Sequence, residues 1–320
     1  MEKYVYQIIP VEELCFDTVY TCHFRVNDER IEASVLEMGI QSPLLLTPAP
    51  DFKIVDGYKR ALAAKKLHLS VVPAMVLQIP LSEKDYFLQA VYTNWALKWS
   101  DIDRIYVIQK ALTDFKMTPV EIVTKVLPAL ALKPQAQTYA VYAALTKLVP
   151  ALWIPISEGK VSLQAASTLC LFSKGDQQWI ASELIPQLSL TVAQVILVTE
   201  WLLEISRSTP NSLQAFLEAH GLIKSLSSAP LDKRKKTECF VEAISRLRFP
   251  KLTGPKEHFK KLTQDISQAH KDIKLEAHPF FEDEGYTVCL KVRNPKSLDE
   301  LLPALEKLRT LLNSFFDFMV

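Results

Sequence analysis

The chain has 320 residues, 49% of them hydrophobic and 23% charged, a globular balance that supports two or three domains with buried cores. Its five cysteines (Cys15, Cys22, Cys170, Cys239 and Cys289) are scattered without CxxC spacing, which argues against a disulfide framework or a zinc knuckle and fits a reducing cytoplasm. The net charge of +1 hides an asymmetry: residues 231–320 carry 17 basic and 14 acidic side chains, residues 1–98 carry 10 and 12, so any electrostatic footprint for nucleic acid lies in the last third.

The first segment, MEKYVYQIIPVEEL, lacks a basic start and a long apolar core, so it does not read as a signal peptide. Within it, YVYQIIP predicts a short strand. NDERIEASVLEMG predicts a helix with Ile31, Val35 and Met38 on one face, closed by Gly39. PLLLTPA is an apolar run between prolines and predicts a buried strand. FKIVDG predicts another, ending in a tight turn. YKRALAAKKLHL predicts a helix, SVVPAMVLQI a strand, and Tyr86–Leu97 a further helix.

From Trp99 to Ser206 only helical signals occur, divided by prolines 119, 128, 134, 150, 155 and 186. The apolar stretch LSLTVAQVILVTEWLLEI is interrupted by Glu200 and Glu204 and reads as a buried helix, with no membrane contact. SLSSAPLDKRKKT reads as a linker. Beyond it, FVEAISRLRF and PKEHFKKLTQDISQAH read as helices. IKLEAHPF and YTVCLKVRN read as strands joined near Gly285. SLDELLPALEKLRTLLNSFF reads as an amphipathic helix with Ser297 and Glu300 in a capping box. No internal repeat is evident. The fold class is mixed α+β: an α/β domain over 1–98, a helical domain over 99–230 and a small α/β domain over 231–320.

Residues 38–73, MGIQSPLLLTPAPDFKIVDGYKRALAAKKLHLSVVP, carry a resemblance. A helix ends in glycine, a strand follows a proline, and a second strand ends in a Gly-x-x-Arg turn. A helix then opens with basic residues, and a strand ends in proline. This order resembles the N-terminal domain of the ParB/sulfiredoxin-like superfamily, in particular ParB-type partition proteins. Arg25, in CHFRV, falls where that family places an arginine. Downstream, TNWALKWSDIDRIYVIQKAL and the helices through residue 175 are similar to the family's central helix-turn-helix domain, including Glu158-Gly159-Lys160-Val161-Ser162. The resemblance implies binding of CTP or another nucleotide, binding of DNA, dimerisation and a partition ATPase as partner. It implies a cytoplasmic place, on the nucleoid if DNA is bound. The implied nucleotide or phosphate site comprises Arg25, Gly57, Tyr58, Lys59, Arg60 and Asn94.

The turn also has its own physics. Glycine at 57 admits backbone angles closed to other residues, and a following helix offers free N–H groups and a positive dipole end. Lys59 and Arg60 add charge there. The bland alternative is a simple turn with solvated cations. The sequence departs from the family at the chemistry. Tyr58 stands where ParB has a glutamate and sulfiredoxin a cysteine, while Thr93 and Leu97 replace a glutamate and an arginine. No catalytic residue is therefore assigned, neither CTPase nor sulfiredoxin.

Thr118 and Pro119 open the first helix of the helix-turn-helix. PALALKPQ is a long turn, and the candidate recognition helix spans about Gln135–Leu148. Candidate DNA contacts are Lys133, Gln135, Gln137, Thr138, Tyr139 and Lys147, with the charge run Lys233, Arg234, Lys235 and Lys236. The alternatives are a packing helix and a solvated hinge. His270, Glu276 and His278 match no metal-ligand spacing and read as surface residues. Phe280, Phe281, Phe315, Phe316 and Phe318 read as a core or dimer face. The function expected is a ParB-like DNA-binding protein in partition or transcription. Two other classes stand beside it: a nucleotide switch or enzyme using Gly57–Arg60, and a protein-binding scaffold that has lost both activities.

Overall fold

Strand β2, Leu44–Leu46, is buried at every residue, and that burial fixes its place inside a sheet. The structure, a computed structural model, describes residues 3–95, 98–209, 212–223, 232–249, 273–277 and 286–292, with isolated positions between 259 and 309. Strand β1 (Tyr4–Pro10) leads through a single 3-10 turn and an extended segment to helix α1 (Glu29–Met38). Strand β2 and then β3 (Ile54–Asp56) follow, then helix α2 (Tyr58–Lys66), β4 (Val71–Leu77) and α3 (Glu83–Thr93). The sheet order is β1-β4-β2-β3, with β2 parallel to β4 and the other pairs antiparallel. The sequence-based elements of this region are all present in the expected order.

One face of the sheet carries Ile9, Leu44, Leu46, Ile54, Val72, Ala74 and Val76, and Ala61 and Ala64 of α2 pack against it. Small residues on α2 let the helix lie close to the strands. Gly39 ends α1 with φ 68, an angle glycine tolerates without a Cβ penalty. A second cluster is aromatic. Phe87 of α3 stacks on Phe115 at 4.2 Å between ring centroids, and Tyr20 stacks on Phe115 at 6.2 Å.

The helical part continues with α4 (Asp101–Thr113), α5 (Pro119–Glu121), α6 (Leu127–Ala129) and α7 (Ala136–Leu145). Then come α8 (Trp153–Ser157), α9 (Leu163–Leu169), α10 (Lys174–Trp179), α11 (Ile185–Gln187), α12 (Val192–Ser208) and α13 (Leu213–Ala219). Thr118 caps α5, as its sequence suggests, and Glu121 completes a capping box that the sequence reading did not include. The apolar stretch around residue 198 forms α12, which buries Val195, Val198, Trp201, Leu202 and Ile205. Among the described residues no single helix is long and apolar enough to cross a membrane.

Two wide π-helical turns, Ile122–Val126 and Ile180–Leu184, were not foreseen. Each lies just ahead of a proline, Pro128 and Pro186. A proline in a helix lacks the N–H that would bond four residues back and its ring presses on that carbonyl. Widening the preceding turn, with Leu127 N–H bonding Ile122 O and Ile185 N–H bonding Ile180 O, lets each helix run past its proline. The device therefore occurs twice among the described residues of a chain whose sequence shows no repeat. It also carries helix as far as Ala129, so the break before α7 is shorter than PALALKPQ suggests.

The chain separates into two compact units, one of residues 1–206 with 212–214 and one of 207–211 with 215–320. In the second, helix α14 (Lys233–Arg248) and an antiparallel pair, β5 (Ile273–Ala277) and β6 (Tyr286–Leu290), are described. Helix α14 corrects the linker reading: Lys233–Lys236 form its first turn. Lysine and arginine are good helix formers, and Thr237, Phe240 and Ile244 give the helix one buried face. Residues 225–231 of that stretch lie outside the described residues. So do Leu97, His270, His278, Gly285, the five phenylalanines and most of the helix expected from Ser297, of which Pro303, Leu305, Glu306 and Arg309 are described and helical.

Phe87 is fully buried between the sheet domain and Phe115. Replacing it with alanine is expected to cost about 3–5 kcal/mol in urea unfolding, the range for deleting a core phenylalanine.

Candidate functional site

A cavity of about 650 Å³ opens where β3 turns into α2, and its opposite wall is α1. Gly57 makes the turn with φ 89. A Cβ there would lie 2.7 Å from Leu44 Cδ2 and 3.0 Å from Arg60 Nη2, so only glycine fits. No side chain caps α2, so the amides of its first turn are left for solvent or a ligand. Gly57, Tyr58, Lys59, Arg60 and Asn94, named from sequence, all line this one cavity. Arg25 does not line it. It faces Glu158 instead, at 3.4 Å, and is 56% exposed.

The cavity's charges are mostly engaged. Arg60 donates to the carbonyls of Ser42 and Pro43, the latter at 3.1 Å, and to Asp56 Oδ2 at 3.2 Å. Asn94 donates to the other oxygen of Asp56 at 3.1 Å and to Ala90 O at 2.8 Å. Lys59 reaches Asp28 Oδ2 at 3.2 Å. Burial pushes the Asp28 carboxyl up, but Lys59 together with the backbone amides of Ile31 and Arg30 outweighs it and holds it below the ordinary carboxylate range. Tyr58 turns its hydroxyl to Phe16 O at 3.1 Å and sets its ring edge-on to Phe16. Burial, with Asp17 and Cys15 nearby, raises its phenol above the usual value.

Several lining residues were not singled out from sequence: Thr21, Asp28, Arg30, Ser34, Ser42 and Asp56. Their common signal is weak, because they come together from four separate segments. Thr21 Oγ1 is buried and has no protein partner among the described residues. Next to it, Cys22 is buried with its thiol on Tyr20 O at 3.4 Å, and burial pushes that thiol far above its normal range. A thiol held protonated is a poor nucleophile.

Residues 18–25 form a strap shared by the cavity and the helical layer. Tyr20, Thr21, Cys22 and His23 line the cavity. On the other side, Phe24 N–H donates to Asp103 Oδ1 at 2.9 Å, and His23 Nδ1 lies 3.4 Å from Asp103 Oδ2. His23 stacks on Trp99 at 5.8 Å, and Phe24 packs on Tyr106 and Trp153. The ammonium of Lys110, buried in α4, donates to Thr18 O. Desolvation lowers the pKa of Lys110.

In the helical part, Gln135 stands at the N-cap position of α7, and Gln137, Thr138 and Tyr139 lie in its first turns. Gln135, Gln137, Lys133 and Lys147 are exposed, as are Ala136, Ala140, Val141 and Ala144. Arg234 pairs with Glu238 at 3.5 Å, and Lys235 is exposed. Among the described residues no cluster of histidine, cysteine, aspartate and glutamate could hold a metal, and Glu276 pairs with Lys274 at 2.6 Å.

No family model and no curated protein matches the chain. Solved structures do match. The C-terminally truncated chromosome-partitioning protein ParB from Caulobacter crescentus, complexed to the centromeric parS site, is 18% identical over 61% of this chain and 98% of its own, with a TM-score of 0.37. The same protein complexed with CTP-gamma-S is 21% identical over 57% of this chain and 99% of its own, at 0.26. A Pnob8-like ParB-N domain is 17% identical over 70% of this chain and 98% of its own, at 0.38.

The likeness is to ParB structures. At these scores it does not assign a ligand, and the site has to be judged on its own side chains. Where ParB motifs have glutamates, this chain has Tyr58, anchored on Phe16, and Thr93, whose hydroxyl bonds Ala90 O at 3.0 Å. Neither presents a carboxylate.

Gly57→Ala is expected to destabilise the protein by about 1–3 kcal/mol, through the left-handed backbone and the contact with Leu44, read as a lower urea midpoint. Asp103 supplies a pH test. Burial pushes its carboxyl up, but His23, the Ser100 hydroxyl at 2.6 Å and the Phe24 amide outweigh burial and hold it below the ordinary value. A depressed carboxylate stabilises fully above its unfolded pKa of about 4 and loses that contribution as pH falls through the folded value. The melting-temperature gap between the wild type and Asp103→Asn should therefore be wide at pH 7 and narrow in acid.

Proposed function

We propose that this protein is a ParB-like DNA-binding protein whose α/β domain binds a phosphate-bearing small molecule, with a nucleotide as the first candidate. The observation that carries the reading is the cavity at Gly57. It joins a glycine turn, an uncapped helix N-terminus and three cations, Arg30, Lys59 and Arg60, facing two carboxylates, Asp28 and Asp56. Backbone N–H groups and a positive dipole end are the usual means of holding phosphate. The sequence resemblance makes CTP the nucleotide to try first. The missing carboxylates at 58 and 93 favour binding over hydrolysis.

The strap of residues 18–25 supports coupling between this ligand and the helical layer, because one segment touches both. On that layer, α7 offers Gln135 and Gln137 for base edges, and Lys133 and Lys147 for phosphates. Lys233–Lys236 would add backbone contacts from the C-terminal unit. Dimerisation and a partition ATPase belong to the same reading, as does a domain division at residues 98 and 230. A second reading has its own support. The outward face of α7, with Ala136, Ala140, Val141 and Ala144, carries little charge and suits a protein partner better than a polyanion.

Thermal shift with CTP, ATP and GTP, each with and without duplex DNA, separates these readings. A nucleotide at a hundred times its dissociation constant should stabilise the protein by about 2.7 kcal/mol, and Lys59→Gln should weaken it. DNA binding should fall steeply with salt, and Lys133→Gln should reduce the magnitude of the salt slope by about 1. A protein that responds to neither ligand class is the scaffold.

A further inference from the structure

We infer that Arg30, outside every motif of the sequence resemblance, is the residue that grips the charged end of the cavity's ligand. This rests on the phosphate-binding reading above and adds a residue to it. Arg30 lines the cavity from the first turn of α1 and is exposed. One turn further on, Ser34 lines it as well, with Ile31 and Val35 on the same helical face. The hydroxyl of Ser34 gives a phosphate a neutral donor beside the guanidinium.

The charge balance singles out Arg30. Asp56 holds Arg60, and Asp28 holds Lys59. Asp28 lies two residues before Arg30, yet its carboxylate is engaged by Lys59 of α2 and by the backbone amides of Arg30 and Ile31. Among the described residues the side chain of Arg30 has no hydrogen-bond or ion-pair partner, so it supplies the excess of three cations over two carboxylates. A ligand that takes Lys59 or Arg60 has to displace a carboxylate or backbone carbonyls. A ligand that takes Arg30 displaces only water.

Helix stability does not explain an arginine at this position. The first turn of a helix lies at the positive end of its dipole, where a cation is unfavourable. The other charged residues of α1, Glu29, Glu32 and Glu37, are acidic, and Glu32 pairs with Lys66. Arg30 thus sits where it weakens its own helix and lines the cavity. A guanidinium matches phosphate oxygens with two parallel donors, which an ammonium cannot do.

The test uses full-length protein in calorimetric titrations with CTP and with inorganic tripolyphosphate. Arg30→Gln should weaken both by about tenfold or more, the size of a charge-assisted contact. Arg30→Lys should recover only part of the loss. The melting temperature of the free Arg30→Gln protein should not fall, because no native contact is removed. If the wild type binds both and Arg30→Gln binds them equally well, the inference fails while the phosphate-binding reading stands. If the wild type binds neither, both are overturned.

Discussion

The guanidinium of Arg60 holds the cavity end of the sheet domain together. It bonds the carbonyls that lead into β2, the carboxylate that ends β3, and through that carboxylate the amide of Asn94 at the end of α3. Three stretches of chain, at 42–43, 56–60 and 94, meet at one planar group. A cation bonded to this many acceptors is a structural clasp first. Each charge-assisted bond is worth about 1.5–3 kcal/mol, so a ligand that claimed Arg60 outright would have to replace several of them. The Gly-x-x-Arg turn therefore builds the cavity, and the cheaper contacts within it are the free amides of α2 and the exposed groups of α1.

Much of the sheet domain is legible in the sequence because its punctuation is local. Gly39 and Gly57 both take positive φ where a helix ends or begins. The proline-bounded leucines of β2 are buried throughout. The capping residue Thr118 is visible from the proline that follows it at the first helical position. The parts that were not legible depend on partners far away. Nothing near Asp28 announces Lys59, and nothing near Phe24 announces Asp103. The wide turns before Pro128 and Pro186 depend on how a helix accommodates a proline once other contacts hold it in place. The charge run at 233–236 looks like a hinge until the buried face of Thr237, Phe240 and Ile244 is seen.

The same distinction applies to the candidate site. Turn chemistry pointed to Gly57, Lys59 and Arg60, which the fold gathers around one cavity. It could not tell which cations remain available, because availability is a property of the pairs formed. Arg60 and Lys59 are conspicuous in the sequence and engaged in the structure. Arg30 is inconspicuous and unengaged. Arg25, placed by the resemblance, is drawn away to Glu158 beside the glycine of the Glu-Gly-Lys segment.

The strap has a consequence for how the chain can be taken apart. Thr18, His23 and Phe24 find their partners at Lys110, Asp103, Trp99, Tyr106 and Trp153, all of them beyond residue 98. A fragment cut at that point would keep the strands and lose one wall's anchorage. Residues 20–23 would then be held mainly through Tyr20, on Glu83 and Tyr86, and ligand affinities measured on such a fragment would describe a looser site than the one the intact unit builds.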